Sequence, residues 1–285
     1  MIEPRDIGDI VSYDGTAIRW QRFGEGSPVV VANGIGVGYR GMALQLEHLA
    51  QRFELICWDY RGFFDSGPPG YGGPQMPAHA RDLLAVMDAL ELDQAGFMGW
   101  SMGVSVGFEA WRAEHHRFTR MACIDGIPSS PFRASPLVPL ATRVFPHALR
   151  AAAVTSPVVS PILSGLLRRS EFRSVAAYSG LLRRHAHPEA FAAMADGVAG
   201  HDLRLYLQTL SELGRQDAWS MLPDVDIPVL FLVGENDLFI PPDVVRRMAR
   251  RAPQARVHVI PGASHFTVVE EPAELNAALE AFLGA

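Results

Sequence analysis

Short runs of strand-forming residues alternate with longer helical stretches along most of this chain, and that alternation limits the available folds more than any other feature. Strands are expected near 10–12 and at 17–23, 29–32, 55–58, 95–99, 121–124, 229–233 and 257–260. Helices are expected at 41–51, 77–90, 102–114, 242–251 and 272–282. Strands joined through helices pair in parallel, and the helices then cover both faces of the sheet. The first two strands differ. Asp14-Gly15 between them is a tight-turn signal, so they should form an antiparallel hairpin. The expectation is an α/β protein with a mostly parallel, eight-stranded sheet. With 285 residues, 48% of them hydrophobic, the chain can bury a core of that size.

One region breaks the rhythm. Residues 128–215 are helical in pattern, rich in Ala, Leu and Arg, and punctuated by prolines such as Pro131 and Pro161. They are expected to form an insertion between two strands, with the core built from 1–127 and 216–285. The insertion carries ten arginines against five acidic residues, whereas the whole chain has a net charge of −6. A solvated Arg-rich face is the plainer reading of that surplus. The sharper one is contact with an anionic substrate, an acidic carrier protein or an anionic membrane surface.

Gly36-Val37-Gly38-Tyr39-Arg40-Gly41 spells G-x-G-x-x-G, and Asp59 follows Gly41 by 18 positions. That spacing resembles a dinucleotide fingerprint, whose glycines let the backbone approach a pyrophosphate. The fit is poor. A fingerprint strand runs straight into its first glycine, and here Asn33, Gly34 and Ile35 intervene. Counted from Gly34, the third position is Tyr39, too large for close helix–strand packing.

Gly99-Trp100-Ser101-Met102-Gly103 is G-x-S-x-G, between an expected strand and an expected helix. A sharp strand-to-helix turn needs small residues on both sides, strains the serine backbone and lifts its hydroxyl above the sheet. The following helix start aims free N–H groups at developing negative charge. A serine nucleophile needs a base. Among ten histidines, His265 lies in a loop after the last strand and before the last helix. In a parallel sheet that loop opens on the same edge as Ser101. Asp237, in the loop after strand 229–233, opens there too and can orient the imidazole. Asp125 is the rival acid, ranked second because it opens the insertion, and Glu235 is a weaker one.

The order Ser, Asp, His with G-x-S-x-G after a central strand resembles the α/β-hydrolase superfamily. The likeness spans essentially the whole chain, including Asn33-Gly34, the segment Asp59-Tyr60-Arg61-Gly62-Phe63-Phe64-Asp65-Ser66-Gly67 and the insertion, which looks like the family's helical cap. The resemblance implies a catalytic triad of Ser101, Asp237 and His265. It also implies an oxyanion hole made by the backbone N–H groups of Met102 and, from the loop after the third strand, Ile35. Gly34 and Gly36 flank Ile35 and would clear space for the carbonyl oxygen, which gives the glycine-rich loop a use without a dinucleotide. Asp59 then becomes a turn or salt-bridge residue, with Arg61 as its partner. Two positions depart from the family pattern. Asn33 stands where His is common, and Phe64 stands where the second glycine of D-x-R-G-x-G-x-S is usual. Both bear on the pocket's entrance, and neither removes a catalytic group.

The implied activity is hydrolysis of an ester, thioester or lactone with a mainly apolar acyl group, through an acyl-enzyme. It requires no cofactor or metal. Serine at the elbow sets the chain apart from the superfamily's dehalogenases and epoxide hydrolases, which use Asp there. C–C bond hydrolysis, cofactor-free perhydrolysis or haloperoxidation, and a slow-turnover ligand-binding or signalling role use the same residues. The expected pocket draws on Asn33, Gly34, Trp100 and Phe266, with Phe145, Leu163 and Leu167 from the insertion. Trp100 reads equally well as a core residue. A pI near 5.9 and the lack of a basic stripe argue against nucleic acid. No apolar run is long enough to span a membrane, and the acidic start MIEPRDIGDI lacks the apolar stretch of a signal peptide. Cys57 and Cys123 fall in expected strands as buried thiols, so a cytoplasmic location is expected.

Overall fold

Runs that are apolar on both faces occupy the middle of the sheet, where both faces must be covered. The structure, a computed structural model, describes residues 2–130, 182–183 and 186–285. Its strands are β1 (Asp6–Val11), β2 (Ala17–Phe23), β3 (Ser27–Ala32), β4 (Phe53–Trp58), β5 (Ala95–Trp100), β6 (Phe118–Ile124), β7 (Val229–Gly234) and β8 (Ala255–Ile260). They form one eight-stranded sheet in the order β1-β2-β4-β3-β5-β6-β7-β8. β1–β2 and β2–β4 pair antiparallel, and every later pair is parallel. β5 and β7, AGFMGW and VLFLVG, are buried at every position. The sequence pattern puts β1 near 10–12, whereas the strand covers Asp6–Val11. Its sequence, DIGDIV, belongs to a half-exposed edge strand without a continuous apolar run.

The helices are α1 (Ala43–Leu49), α2 (Met76–Ala89), α3 (Met102–Ala113), α4 (Pro188–Gly200), α5 (Leu203–Leu213), α6 (Pro242–Ala249), α7 (Thr267–Glu270) and α8 (Pro272–Leu283). Pro77, Pro242 and Pro272 lie in the first turn of α2, α6 and α8, where a missing N–H costs nothing. The strand period of two sends Val30 to one face and Val31 to the other. Val30 packs in a core with Leu83 and Met87 of α2, Phe108 of α3 and Met248 of α6. Val31 packs in a second core with Leu46 and Leu49 of α1 and Leu275 and Leu279 of α8. No helix among the described residues is long and apolar enough to cross a membrane.

Residues 128–130 and 216–218 meet side by side: Ser130 N donates to Gln216 O at 2.8 Å and Ala218 N to Pro128 O at 3.0 Å. The two segments on either side of residues 131–215 are therefore hydrogen-bonded neighbours. Helices α4 and α5 lie along the carboxyl edge of the sheet. Met194 of α4 packs on Gly41, and Tyr206 and Leu205 of α5 pack on Gly36 and Gly62.

The 59–67 segment is fixed by a buried ion cluster rather than by the pair expected of Asp59. Arg61, fully buried, donates to both oxygens of Asp82 at 2.6 and 2.8 Å and to Asp14 at 2.8 Å. It ties α2 to the β1–β2 turn. Asp59 does not pair with Arg61. It accepts from Gln21 Nε2 at 3.2 Å and Asp65 N at 3.3 Å, and burial pushes its pKa up to about 7. Asp82 and Asp14 occupy the donor directions of the guanidinium, which leaves Asp59 to the neighbouring strand. Phe64, at the unusual position, has φ +50°, a conformation that favours glycine. Its ring packs against Gly38, Gly197 and His201, contacts that a glycine could not make.

Removing one partner from a buried ion cluster leaves uncompensated charge, which costs roughly 3–5 kcal/mol. Arg61→Ala should therefore lower the urea unfolding free energy by about that amount. A loss under about 1 kcal/mol would show that Asp14 and Asp82 do not depend on it.

Candidate active site

The elbow follows from how closely α3 approaches the sheet. A Cβ on Gly103 would overlap the carbonyl oxygen of Ala32, and one on Gly99 would lie 2.9 Å from the carbonyl carbon of Gly103. Glycine at both positions lets helix and strand touch, and Ser101 takes up the turn at φ +53°, ψ −115°. That strain, on the order of 1–3 kcal/mol for a non-glycine residue, is held by the Ser101 N–H bond to Ile124 O at 2.9 Å and by packing on both sides.

β7 and β8 deliver the other two groups to the same edge. Ser101 Oγ lies 3.0 Å from His265 Nε2, and His265 Nδ1 lies 2.8 Å from Asp237 Oδ2. The other Asp237 oxygen accepts from the N–H groups of Phe239 at 2.8 Å and Ile240 at 2.9 Å. These donors aim the carboxylate, and its free oxygen accepts from the imidazole at Nδ1, which leaves Nε2 to accept the serine proton. Burial by itself would lower the His265 pKa. The charge of Asp237, together with its hydrogen bond, outweighs burial and holds it above the ordinary value.

Asp125, the rival acid, makes no bond to the imidazole. It is fully buried at φ +43°, and burial, followed by the nearby charge of Asp237, pushes its pKa well above the carboxylate range. One oxygen accepts from Gly234 N at 3.1 Å, the other from Thr267 N at 3.2 Å and Thr267 Oγ1 at 2.6 Å. It therefore buckles the start of the Asp237 loop to the helix that follows His265. Glu235 is exposed and accepts from Gly262 N at 2.9 Å, away from the imidazole nitrogens. A residue that sequence reasoning misses, Glu270, holds the His265 loop from the other side. It accepts from Ser264 N and Oγ at 2.5 and 2.7 Å and from Arg183 N at 2.7 Å. A Ser-to-Glu spacing of six residues carries no sequence signal of its own.

The β3–β5 register pairs Ala32 with Gly99, so the backbone from Asn33 onward runs beside Trp100 and Ser101. Met102 begins α3, and its N–H has no intrahelical acceptor. No described residue accepts from the Ile35 N–H. Gly34 faces the Trp100 ring, 2.7 Å from where its Cβ would be, and Gly36 (φ +67°) faces the Tyr206 ring at 2.9 Å. Trp100 is 3% exposed, and its indole N–H donates to His265 O at 3.3 Å. It supports both loops from beneath and presents little surface to a ligand. Asn33 is also buried: its backbone oxygen accepts from Tyr60 OH at 2.7 Å. Phe266 packs between His265, Trp100 and Phe191, with ring centres 5.8–6.1 Å apart. Phe145, Leu163 and Leu167 lie outside the described residues. Among the described residues, no group of three or more His, Cys, Asp or Glu side chains is placed to hold a metal ion.

Comparison with known proteins agrees with this fold. A family model described as alpha/beta hydrolase fold matches residues 27–272. Esterase YbfF of Escherichia coli is 24% identical over 90% of this chain and 93% of its own length. A putative carbamate hydrolase, RutD of Caulobacter vibrioides, is 26% identical over 90% of this chain and 89% of its own length. A thermophilic esterase from Thermogutta terrifontis superposes with a TM-score of 0.77 at 26% identity, over 98% of both chains.

Asp125→Ala would strip the acceptor from three buried donors. Each orphaned donor costs about 1 kcal/mol or more, so urea denaturation should show a loss of about 3 kcal/mol. An unchanged midpoint would mean that the two loops are held together without the buckle.

Proposed function

The chain belongs to the alpha/beta hydrolase fold family, and from that premise we propose that it is a serine hydrolase acting on carboxylic esters through a Ser101–His265–Asp237 triad. The observation that carries the reading is the continuous hydrogen-bond chain from a serine on a strained elbow, through one imidazole, to a buried carboxylate. In the proposed reaction His265 Nε2 takes the Ser101 proton as Oγ adds to the substrate carbonyl carbon. The oxyanion accepts from the N–H groups of Ile35 and Met102. The tetrahedral intermediate collapses, the C–O bond to the alcohol breaks, and His265 returns the proton to the departing oxygen. Water, deprotonated by His265, then attacks the acyl-enzyme, and the acid leaves as Ser101 recovers its proton. Asp237 holds the imidazole through Nδ1 and stabilises the imidazolium. Every proton is accounted for without a metal or organic cofactor.

Residues 128–215 are proposed to act as a cap over this site, with 1–127 and 216–285 as the catalytic core. What supports a cap is the lie of α4 and α5 along the carboxyl edge, against the loop that carries Ile35. Phe191, Met194 and Tyr206 bring apolar surface to it, which favours an apolar acyl group of medium size. Thioesters, lactones and carbamates share the carbonyl chemistry and belong in the same substrate panel, the last because of the Caulobacter relative.

Ser101→Ala should abolish turnover of p-nitrophenyl butyrate and labelling by a fluorophosphonate probe, with the fold intact by circular dichroism. Retained turnover would remove Ser101 from the mechanism.

Only neutral His265 can accept the serine proton, so kcat/KM should fall as the pH drops through its raised pKa. The acid limb then lies above the ordinary histidine value of 6.5. Asp237→Asn should cut kcat by roughly 10³–10⁴ and shift that limb to lower pH. A limb at or below 6.5 in the unaltered enzyme would contradict the arrangement.

A further inference from the structure

Most aromatic rings around His265 are packed away: Trp100 is buried and Phe266 is half-buried. Phe239 is different. Its ring meets the imidazole edge-on, with centres 5.0 Å apart at 66°, and yet it is 45% exposed. Leu238 beside it is 51% exposed. Two consecutive large apolar residues face solvent on the loop that supplies the triad carboxylate, and few others among the described residues do so. Their side chains are not needed to hold that loop. The bonds that fix Asp237 come from the backbone N–H groups of Phe239 and Ile240, which any residue except proline could donate. Burial of Ile240, at 2% exposure, already anchors the turn. The exposed ring thus has a cost in water and no role in local folding.

The reaction geometry says what would cover it. Three directions leave the tetrahedral carbon besides the bond to Ser101. The oxyanion points to the β3 loop and the start of α3. The departing oxygen must come within hydrogen-bond reach of His265 Nε2, because that nitrogen protonates it. The acyl chain takes the remaining direction. A group packed on the imidazole therefore lies beside the path of the alcohol. The glycine-rich loop and α5, which flank the oxyanion side, do not share that position.

We propose that Phe239, with Leu238, forms the leaving-group subsite, an apolar platform that selects esters of bulky apolar or aromatic alcohols. The inference rests on the serine-hydrolase reading and adds the alcohol half of the substrate to it. An exposed aromatic face suits an aryl or benzyl group, which stacks edge-to-face or offset at the 4.5–7 Å centre spacings that such rings prefer. Alcohols that are small or charged leave the platform wet and gain nothing from it. Deacylation lies outside its influence, since the alcohol has gone by then.

The test compares two selectivity ratios in the full-length enzyme. One is kcat/KM for benzyl butyrate over methyl butyrate, which varies the alcohol alone. The other is kcat/KM for p-nitrophenyl octanoate over p-nitrophenyl acetate, which varies the acyl chain alone. Phe239→Ala should lower the first ratio on the order of tenfold, the scale of one apolar contact in a specificity pocket, and leave the second unchanged. Phe239→Leu should restore part of the first ratio. Equal losses on both butyrates would make Phe239 a prop for His265 and overturn the subsite, as would a change confined to the acyl ratio or no change in either. Fluorophosphonate labelling of Ser101, run on the same preparations, separates the two levels. Labelling with an unaltered alcohol ratio removes the subsite alone, whereas no labelling and no hydrolysis removes the serine-hydrolase reading and the subsite with it.

Discussion

The contact between Gly103 and the carbonyl of Ala32 is the constraint on which the rest of the site depends. With no side chain at Gly103, α3 begins directly against β3. The chain can make that junction only if Ser101 adopts a backbone conformation that most residues avoid. Closeness of helix and sheet thus sets the strain, and the strain lifts the hydroxyl clear of the sheet edge. A helix that stood further off would relax Ser101, lower its hydroxyl and move the Met102 N–H away from its neighbour strand.

The other two groups are held by polar ties that converge on the same edge. Asp125 joins the Asp237 loop to Thr267, and Glu270 joins the His265 loop to Arg183. Trp100 adds a bond to the backbone of His265 from below. The three buried acids around His265 do different work: Asp237 bonds the imidazole, while Asp125 and Glu270 grip backbone and hydroxyl groups. Asp237 also favours the charged imidazole, so the bond that fixes the ring's geometry raises the histidine's basicity.

The sequence is most legible where a rule of backbone sterics applies. Central strands read as apolar runs, helices opening on Pro77, Pro242 and Pro272 are marked by their first turns, and the elbow is marked by Gly99 and Gly103. The rule that loops following parallel strands open on one edge is enough to bring Ser101, Asp237 and His265 together from their positions in the chain. Where polar side chains choose partners across the fold, sequence spacing is silent. Arg61 passes over Asp59, two residues away, for Asp14 and Asp82, because a buried guanidinium follows geometry and not proximity along the chain. β1 escapes exact placement because an edge strand has little need of apolar residues. Phe239 carries no motif at all. Its interest comes only from being exposed beside an imidazole.

The central claim is that Ser101 becomes covalently acylated. It is tested most directly by acid-quenching the enzyme during turnover of p-nitrophenyl butyrate and mapping the adduct by peptide mass spectrometry. The account predicts a butyryl group on the peptide containing Ser101, present during turnover and lost once substrate is exhausted. Steady turnover with no adduct on that peptide, or with the adduct on another residue, would contradict it.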